Sequence, residues 1–246
     1  MLPRERILTA CRQGRPDRVP YVFGFTPPLQ RTFERETGAT DVADYFEFDI
    51  RSVGPSGTRL KRDYSAYFAD VELPPGTEFD EWGVAETPPS GDDEATQHFR
   101  HRLSPLRNAT TVEEIAAFPL PDLDAEYRYQ GLDEQVAAIK SRGLAVQGGL
   151  GFSTFDYSWL LRGIDQLMMD MVAEPEMAAA VLDRVVDLLR GVIRRIVEAG
   201  VDVVTWGEDV GTERAMMMSP ATWRRWIKPR FRSMIEVAKL TNPDVI

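Results

Sequence analysis

Residues 198–232 read EAGVDVVTWGEDVGTERAMMMSPATWRRWIKPRFR. Gly200 closes a helix, 201–206 is an apolar strand, and 207–211 is a polar loop carrying the adjacent acids Glu208 and Asp209. Ser219 then supplies an N-cap and Pro220 the first position of a new helix. Helix, glycine, buried strand, acidic loop, helix is the repeating unit of a parallel α/β sheet, closed into a barrel or left open. In both forms chemistry gathers in the loops after the C-terminal ends of the strands. Glu208 and Asp209 are therefore the first catalytic candidates. Crowded carboxylates push their pKa values apart, which suits one of them to proton transfer near neutral pH. The plainer reading is a solvated loop. Trp206, at the end of the strand, either lines a pocket or packs.

The same unit recurs upstream. Met177, Val181, Val185, Leu189, Val192 and Ile196 form one apolar stripe on a helix that Pro175 starts and Gly200 ends. A helix over about 157–171 precedes it. The spacing predicts a helix at 131–141 and a strand at 144–146, which opens into Gln147-Gly148-Gly149-Leu150-Gly151. This is no GxGxxG fingerprint, and the glycines read as tight turns over the strand ends. Between 57 and 101, short Tyr-, Thr-, Phe- and Val-rich runs are cut by Pro-Pro and Gly-Asp pairs. They predict β-hairpins decorating the main sheet. Residues 110–114, with Glu113 and Glu114 in the first turn, mark a helix start, and 118–122 an extended linker. At the N-terminus the pattern predicts a helix at 3–13, a strand at 19–25, helices at 29–37 and 41–46, and a strand at 48–53. Downstream, Lys228-Pro229 breaks the helix that Ser219 caps, and 242–246 is a turn followed by the start of a strand.

The expected fold is thus α/β: about four strands and the beginning of a fifth, an incomplete barrel forming one domain over 1–246. A chain ending on an apolar strand start looks cut short.

Composition narrows the function. The chain has 246 residues, a formal net charge of -10 and a pI near 4.9. That balance argues against nucleic acid and anionic membrane surfaces as partners. No apolar run approaches the roughly 18 residues of a membrane span. The charged N-terminus does not resemble a signal peptide, so the expected compartment is the cytoplasm. Cys11 is the only cysteine; it reads as a buried helix residue. His98 and His101 would point to opposite faces of an extended stretch, so they do not read as a metal pair. Met168, Met169, Met171 and Met216 to Met218 read as packing, and Arg224, Arg225, Arg230 and Arg232 as a solvated helix face.

Several segments, in order, resemble the uroporphyrinogen decarboxylase (URO-D) superfamily. RPDRVPYVFGF (15–25) resembles its first strand and FDIRSV (48–53) its second. FDYSWLLRGIDQLMMDMVAEPEMAAAVLD (155–183) resembles its helix pair after the third strand. EAGVDVVTWGEDVG with MSPATWRRWIKPRFR (198–211 and 218–232) resembles its fourth strand, loop and next helix. DEWGV (80–84) and TVEEIAAFPLPD (111–122) are similar to segments of uncharacterised branches. The resemblance implies a (β/α)8 TIM barrel, here incomplete and with a β-hairpin extension at about 57–101. It implies an enzyme that handles a tetrapyrrole-type partner.

The superfamily includes porphyrin-pathway decarboxylases, which are lyases, and methyltransferases that move a methyl group between a corrinoid protein and a thiol. The decarboxylases clamp substrate carboxylates with Met-Arg-Gln-Ala-Gly-Arg after the first strand. Here the matching stretch, 23–28, has no arginine before Arg31. Buried carboxylates need cationic partners, so the resemblance leans toward corrinoid-dependent methyl transfer to a thiol. The alternatives are uroporphyrinogen decarboxylation, with Arg31 and Arg51 supplying a hidden cation pair, and an inactive fragment or non-catalytic binding module. The resemblance makes Asp49 a catalytic candidate beside Glu208 and Asp209, with a surface or helix-capping aspartate as the alternative. Phe25, Arg51, Tyr157, Trp159 and Trp206 become candidate substrate contacts, although aromatics on a helix more often build core. No cofactor is visible. Zinc, held by a His-x-Cys pair and a later Cys, would require ligands beyond Ile246. The expected partners are a small-molecule tetrapyrrole or a corrinoid protein, and a homodimer.

Overall fold

The computed structural model describes residues 1–88, 100–151 and 153–246. Helices α1 (Pro3–Cys11), α2 (Pro27–Thr37) and α3 (Val42–Tyr45) precede strand β1 (Ile50–Val53). Three short strands follow: β2 (Glu78–Phe79), β3 (Ala85–Thr87) and β4 (His101–Leu103). Helices α4 (Val112–Ala117) and α5 (Leu132–Ser141) lead to β5 (Ala145–Gly149). Then come α6 (Thr154–Arg162), α7 (Ile164–Ala173), α8 (Pro175–Glu198), β6 (Val203–Thr205), α9 (Pro220–Trp226) and α10 (Lys228–Thr241).

Strands β1, β5 and β6 form a parallel sheet in that order. Ile50 lies opposite Ala145, and Gln147 opposite Val203. Ile246 continues the sheet: its N–H donates to Asp202 O at 3.0 Å, and Val204 N–H donates to Ile246 O at 2.7 Å. This pair of bonds is the parallel step expected for a strand start. The sheet is open and no barrel closes among the described residues. Strands β2, β3 and β4 form a separate antiparallel sheet, the expected hairpin extension.

The core lies between the parallel sheet and α8. All six predicted stripe residues of α8 are buried, and the helix packs against α4, α6, α7 and α10. At Gly148 a Cβ would lie 2.0 Å from Ile196 Cγ2. The glycine therefore belongs to the strand and admits the helix, and is not a turn over the strand end.

Four local expectations need correction. Residues 19–25 pair with no strand among the described residues. Pro20 removes a ladder donor, Val19 is 81% exposed, and the Tyr21 hydroxyl donates to Phe46 O instead. The predicted helix at 157–171 is two, because Gly163 (φ +89°) breaks it. Cys11 is exposed, being the last helical residue, one turn past buried Ile7. Gly148 and Gly149 lie inside β5. His98 lies outside the described residues.

Candidate active site

In a parallel sheet the loops after β5 and β6 emerge at the same end. Leu150 N–H donates to Thr205 O at 3.1 Å, joining the two strand ends. From the β6 loop, the Glu208 carboxylate crosses to the start of α6. Its Oε1 accepts from Ser153 Oγ at 2.8 Å and Thr154 N–H at 3.1 Å, and its Oε2 from Phe155 N–H at 2.9 Å. Amides of a first helical turn lack intrahelical partners, so a carboxylate satisfies them well. Asp156, two residues into α6, answers in return: its Oδ2 accepts from Asp209 N–H at 3.2 Å. Asp156 is only 1% exposed, and its Oδ1 has no hydrogen-bond partner.

Burial dominates the electrostatics of this pair. It pushes Glu208 up to about 7, against the Ser153 and Phe155 donors and with the help of the Asp156 charge. It also raises Asp156, against the Asp209 N–H. No cation offsets either acid among the described residues. Such a pair can hold or release a proton near neutral pH.

The loop itself is folded. Val210 N–H donates to Glu208 O, Met217 N–H to Val210 O and Thr212 N–H to Ala215 O, closing a small hairpin. Val210, Met217 and Met218 seat it on Phe155, Leu167 and Trp226.

The other predicted residues separate into groups. Tyr157 is at this end, stacked on Trp82 of the hairpin extension at 4.0 Å between ring centroids. Its hydroxyl donates to Leu150 O, and burial pushes it up to about 12, so it is a neutral phenol. Trp206 packs on Phe231 and lines an apolar groove with Ile235 and Ile246, with its indole N–H buried and unpartnered. Trp159 packs against both main core clusters. Asp209 contributes its backbone N–H, and its side chain is exposed.

Asp49, Arg51 and Phe25 are not brought to this site. Asp49 precedes β1, at the N-terminal end of the sheet, where it pairs with Arg6 at 2.5 Å and Arg18 at 3.0 Å. Arg51 turns back to Phe48 O, Ala43 O and Asp44. Phe25 belongs to an aromatic cluster with Phe23, Phe33 and Phe46.

Asp156 is the residue that reading the sequence missed. The available signal was an acid in the first turn of a helix that follows a glycine-rich strand end. Lys61, Arg62, Asp80 and Asp122 line a separate polar cleft. There burial pushes Asp80 up to about 6, against the Val84 and Trp82 N–H donors. No group of three His, Cys, Asp or Glu side chains suited to a metal occurs among the described residues. No helix among them is long and apolar enough to cross a membrane.

Residues 106–246 match the family model described as uroporphyrinogen decarboxylase (URO-D). No curated protein matches the chain. Among solved structures, a methyltransferase from Methanosarcina mazei is similar with a TM-score of 0.59 at 17% identity, over 97% of this chain and 67% of that one. At that identity the likeness speaks for fold alone, and it agrees with a partial TIM-barrel architecture. Because the family match spans more than half of its length, the chain belongs to the uroporphyrinogen decarboxylase family.

Proposed function

We propose that this chain belongs to a methyl-transfer enzyme of the family, in which a methyl group carried on a corrinoid passes to a thiol. The supporting observation is the uncompensated acid pair, Glu208 and Asp156, at the strand ends. A polycarboxylate substrate would bring more negative charge to buried acids that have no cation, which is costly. A thiol acceptor instead brings a proton it must lose, since the thiolate is the nucleophile. Asp156 Oδ1, which lacks a donor, and Glu208, poised near neutral pH, are the groups to receive that proton. Tyr157 and Trp82 give the site an aromatic wall. Corrinoid and zinc enter this reading through the family resemblance. In this reading residues 1–246 form one incomplete barrel domain of a cytoplasmic, homodimeric enzyme, whose partner is a corrinoid protein or a small tetrapyrrole.

A second reading, decarboxylation of uroporphyrinogen, is favoured by Lys61 and Arg62, which line the polar cleft on the segment after β1. In that cleft they already face Asp80, Glu81 and Asp122. The test is a visible-spectrum titration with methylcobalamin, combined with mass detection of a methylated thiol, on the wild type and Glu208→Gln. A spectral shift with thiol methylation that Glu208→Gln slows supports methyl transfer. No response, with uroporphyrinogen turnover, moves the assignment to the second reading. Failure of both assays leaves a binding module.

A further inference from the structure

Glu208 and Asp156 cross-link two segments as a latch. Glu208 rides on the folded strap 207–218 and holds three donors at the start of α6. Asp156 rides on α6 and holds the strap through Asp209 N–H. The groups facing this latch come from three elements. α6 contributes Asp156, the Trp159 indole, which opposes the rise of Asp156, and the neutral phenol of Tyr157. The strap contributes Asp209, which is exposed. α10 contributes the Met234 thioether, which meets the Ser153 and Thr154 hydroxyls. No Lys, Arg or His among the described residues pairs with either latch acid. Two ionised carboxylates so placed would be buried without counter-charge, which disfavours the doubly charged form.

We propose that residues 207–218 form a gate latched to the start of α6, whose closed form carries a proton on the Glu208–Asp156 pair and whose opening follows loss of that proton. The inference rests on the proposed function only for what the opened gate admits.

The direction follows from linkage. In the closed gate Glu208 sits at about 7, above its ordinary 4.5, because it is buried. An open strap returns it to water and to the ordinary value. The closed form is therefore favoured at low pH, and that advantage is lost as pH rises through about 7. The strap tip offers a reporter, since Arg214 is exposed on its turn.

The experiment is limited trypsin cleavage after Arg214 from about pH 5.5 to about pH 8.5, normalised at each pH to an unstructured peptide. The wild-type rate should rise by about threefold or more through neutrality, and Glu208→Gln/Asp156→Asn should remove the rise. A flat wild-type profile, a rate falling with pH, or an undiminished rise in the double variant overturns the proposal. If circular dichroism shows the double variant unfolded, the wild-type profile and Glu208→Gln alone decide it: Glu208→Gln must reduce the rise. The assay contains no corrinoid or thiol, so its outcome is independent of the methyl-transfer reading.

Discussion

The two ends of the parallel sheet each hold a pair of acids largely out of water, and they treat them oppositely. At the N-terminal end Asp49 meets Arg6 and Arg18, while Asp202 meets Arg4 at 2.7 Å, Lys140 at 3.1 Å and Val146 N–H at 3.0 Å. Helix α1 delivers both Arg4 and Arg6 to this end. At the C-terminal end Glu208 and Asp156 meet only N–H and O–H donors. The pKa directions follow. Burial raises Asp202, but Arg4, the Val146 N–H and Lys140 outweigh it and hold it below the ordinary carboxylate range. Glu208 and Asp156 go up. Asp202 thus contributes stability that is present above about pH 4 and lost as pH falls. Glu208 does the reverse: its contribution is complete below about pH 4.5 and lost as pH rises through about 7. In barrel-like sheets the bottom end serves stability and the top end chemistry. Here the partners of the acids, more than the acids themselves, tell the ends apart.

The largest effect expected is at the N-terminal end. Asp202→Ala strips the Val146 amide and leaves Arg4 and Lys140 without their shared partner, a loss of about 3 kcal/mol by urea unfolding at pH 7. A change below about 1 kcal/mol would break the contrast between the ends. Gly148→Ala tests the strand that joins them. The new Cβ would meet Ile196 Cγ2 at 2.0 Å, so β5 and α8 must separate. The expected cost is about 2 kcal/mol, lowering the melting temperature. Ile196→Ala, which removes Cγ2, should cost less in the Gly148→Ala chain than in the wild type, a coupling that a purely backbone effect would not give.

Much of the frame was legible because it rests on local chemistry. The α8 stripe, the Ser219–Pro220 start and the break at Pro229 all lie where periodicity and capping put them. So does the unit of strand, acidic loop and helix. What failed depends on distant partners. Residues 19–25 have strand composition, yet a strand is made by a neighbour, and none of the described strands pairs with them. Asp49 falls at the end of the sheet opposite Glu208 because polarity along the strand, not proximity to it, decides which loop a residue joins: Asp49 comes before Ile50, not after Val53. Asp156 was hidden between the aromatics Phe155 and Tyr157. Nothing in the sequence shows that the β6 loop folds back to bury its carboxyl.

The C-terminal end makes the next prediction. Glu208→Gln removes the titrating charge but keeps the size of the side chain. At pH 5 the variant should be less stable than wild type, because an amide nitrogen replaces one acceptor facing the α6 donors. As pH rises to about 8 the wild type carries a growing ionisation cost that the variant does not. The difference should therefore shift toward the variant by about 1 kcal/mol, a figure reduced for the partial exposure of Glu208. Unfolding curves at both pH values measure it. A shift of opposite sign would place Glu208 with Asp202, as an acid held ionised.

The smallest effect sharpens the other side of the comparison. Asp49 has two arginines, and they differ in exposure: Arg6 is buried, whereas the Arg18 side chain is 44% exposed. Arg18→Ala leaves the Arg6 contact at 2.5 Å in place, so the charge of Asp49 stays compensated. An exposed arm of an ion pair contributes little, and the expected loss is about 0.5 kcal/mol, weakening further in high salt. A loss as large as that of Asp202→Ala would mean that one arginine does not neutralise Asp49. The N-terminal end would then resemble the C-terminal end, with an acid short of counter-charge, and Asp49 would return as a candidate for chemistry. A small, salt-sensitive loss keeps Asp49 among the groups that hold α1 to the sheet.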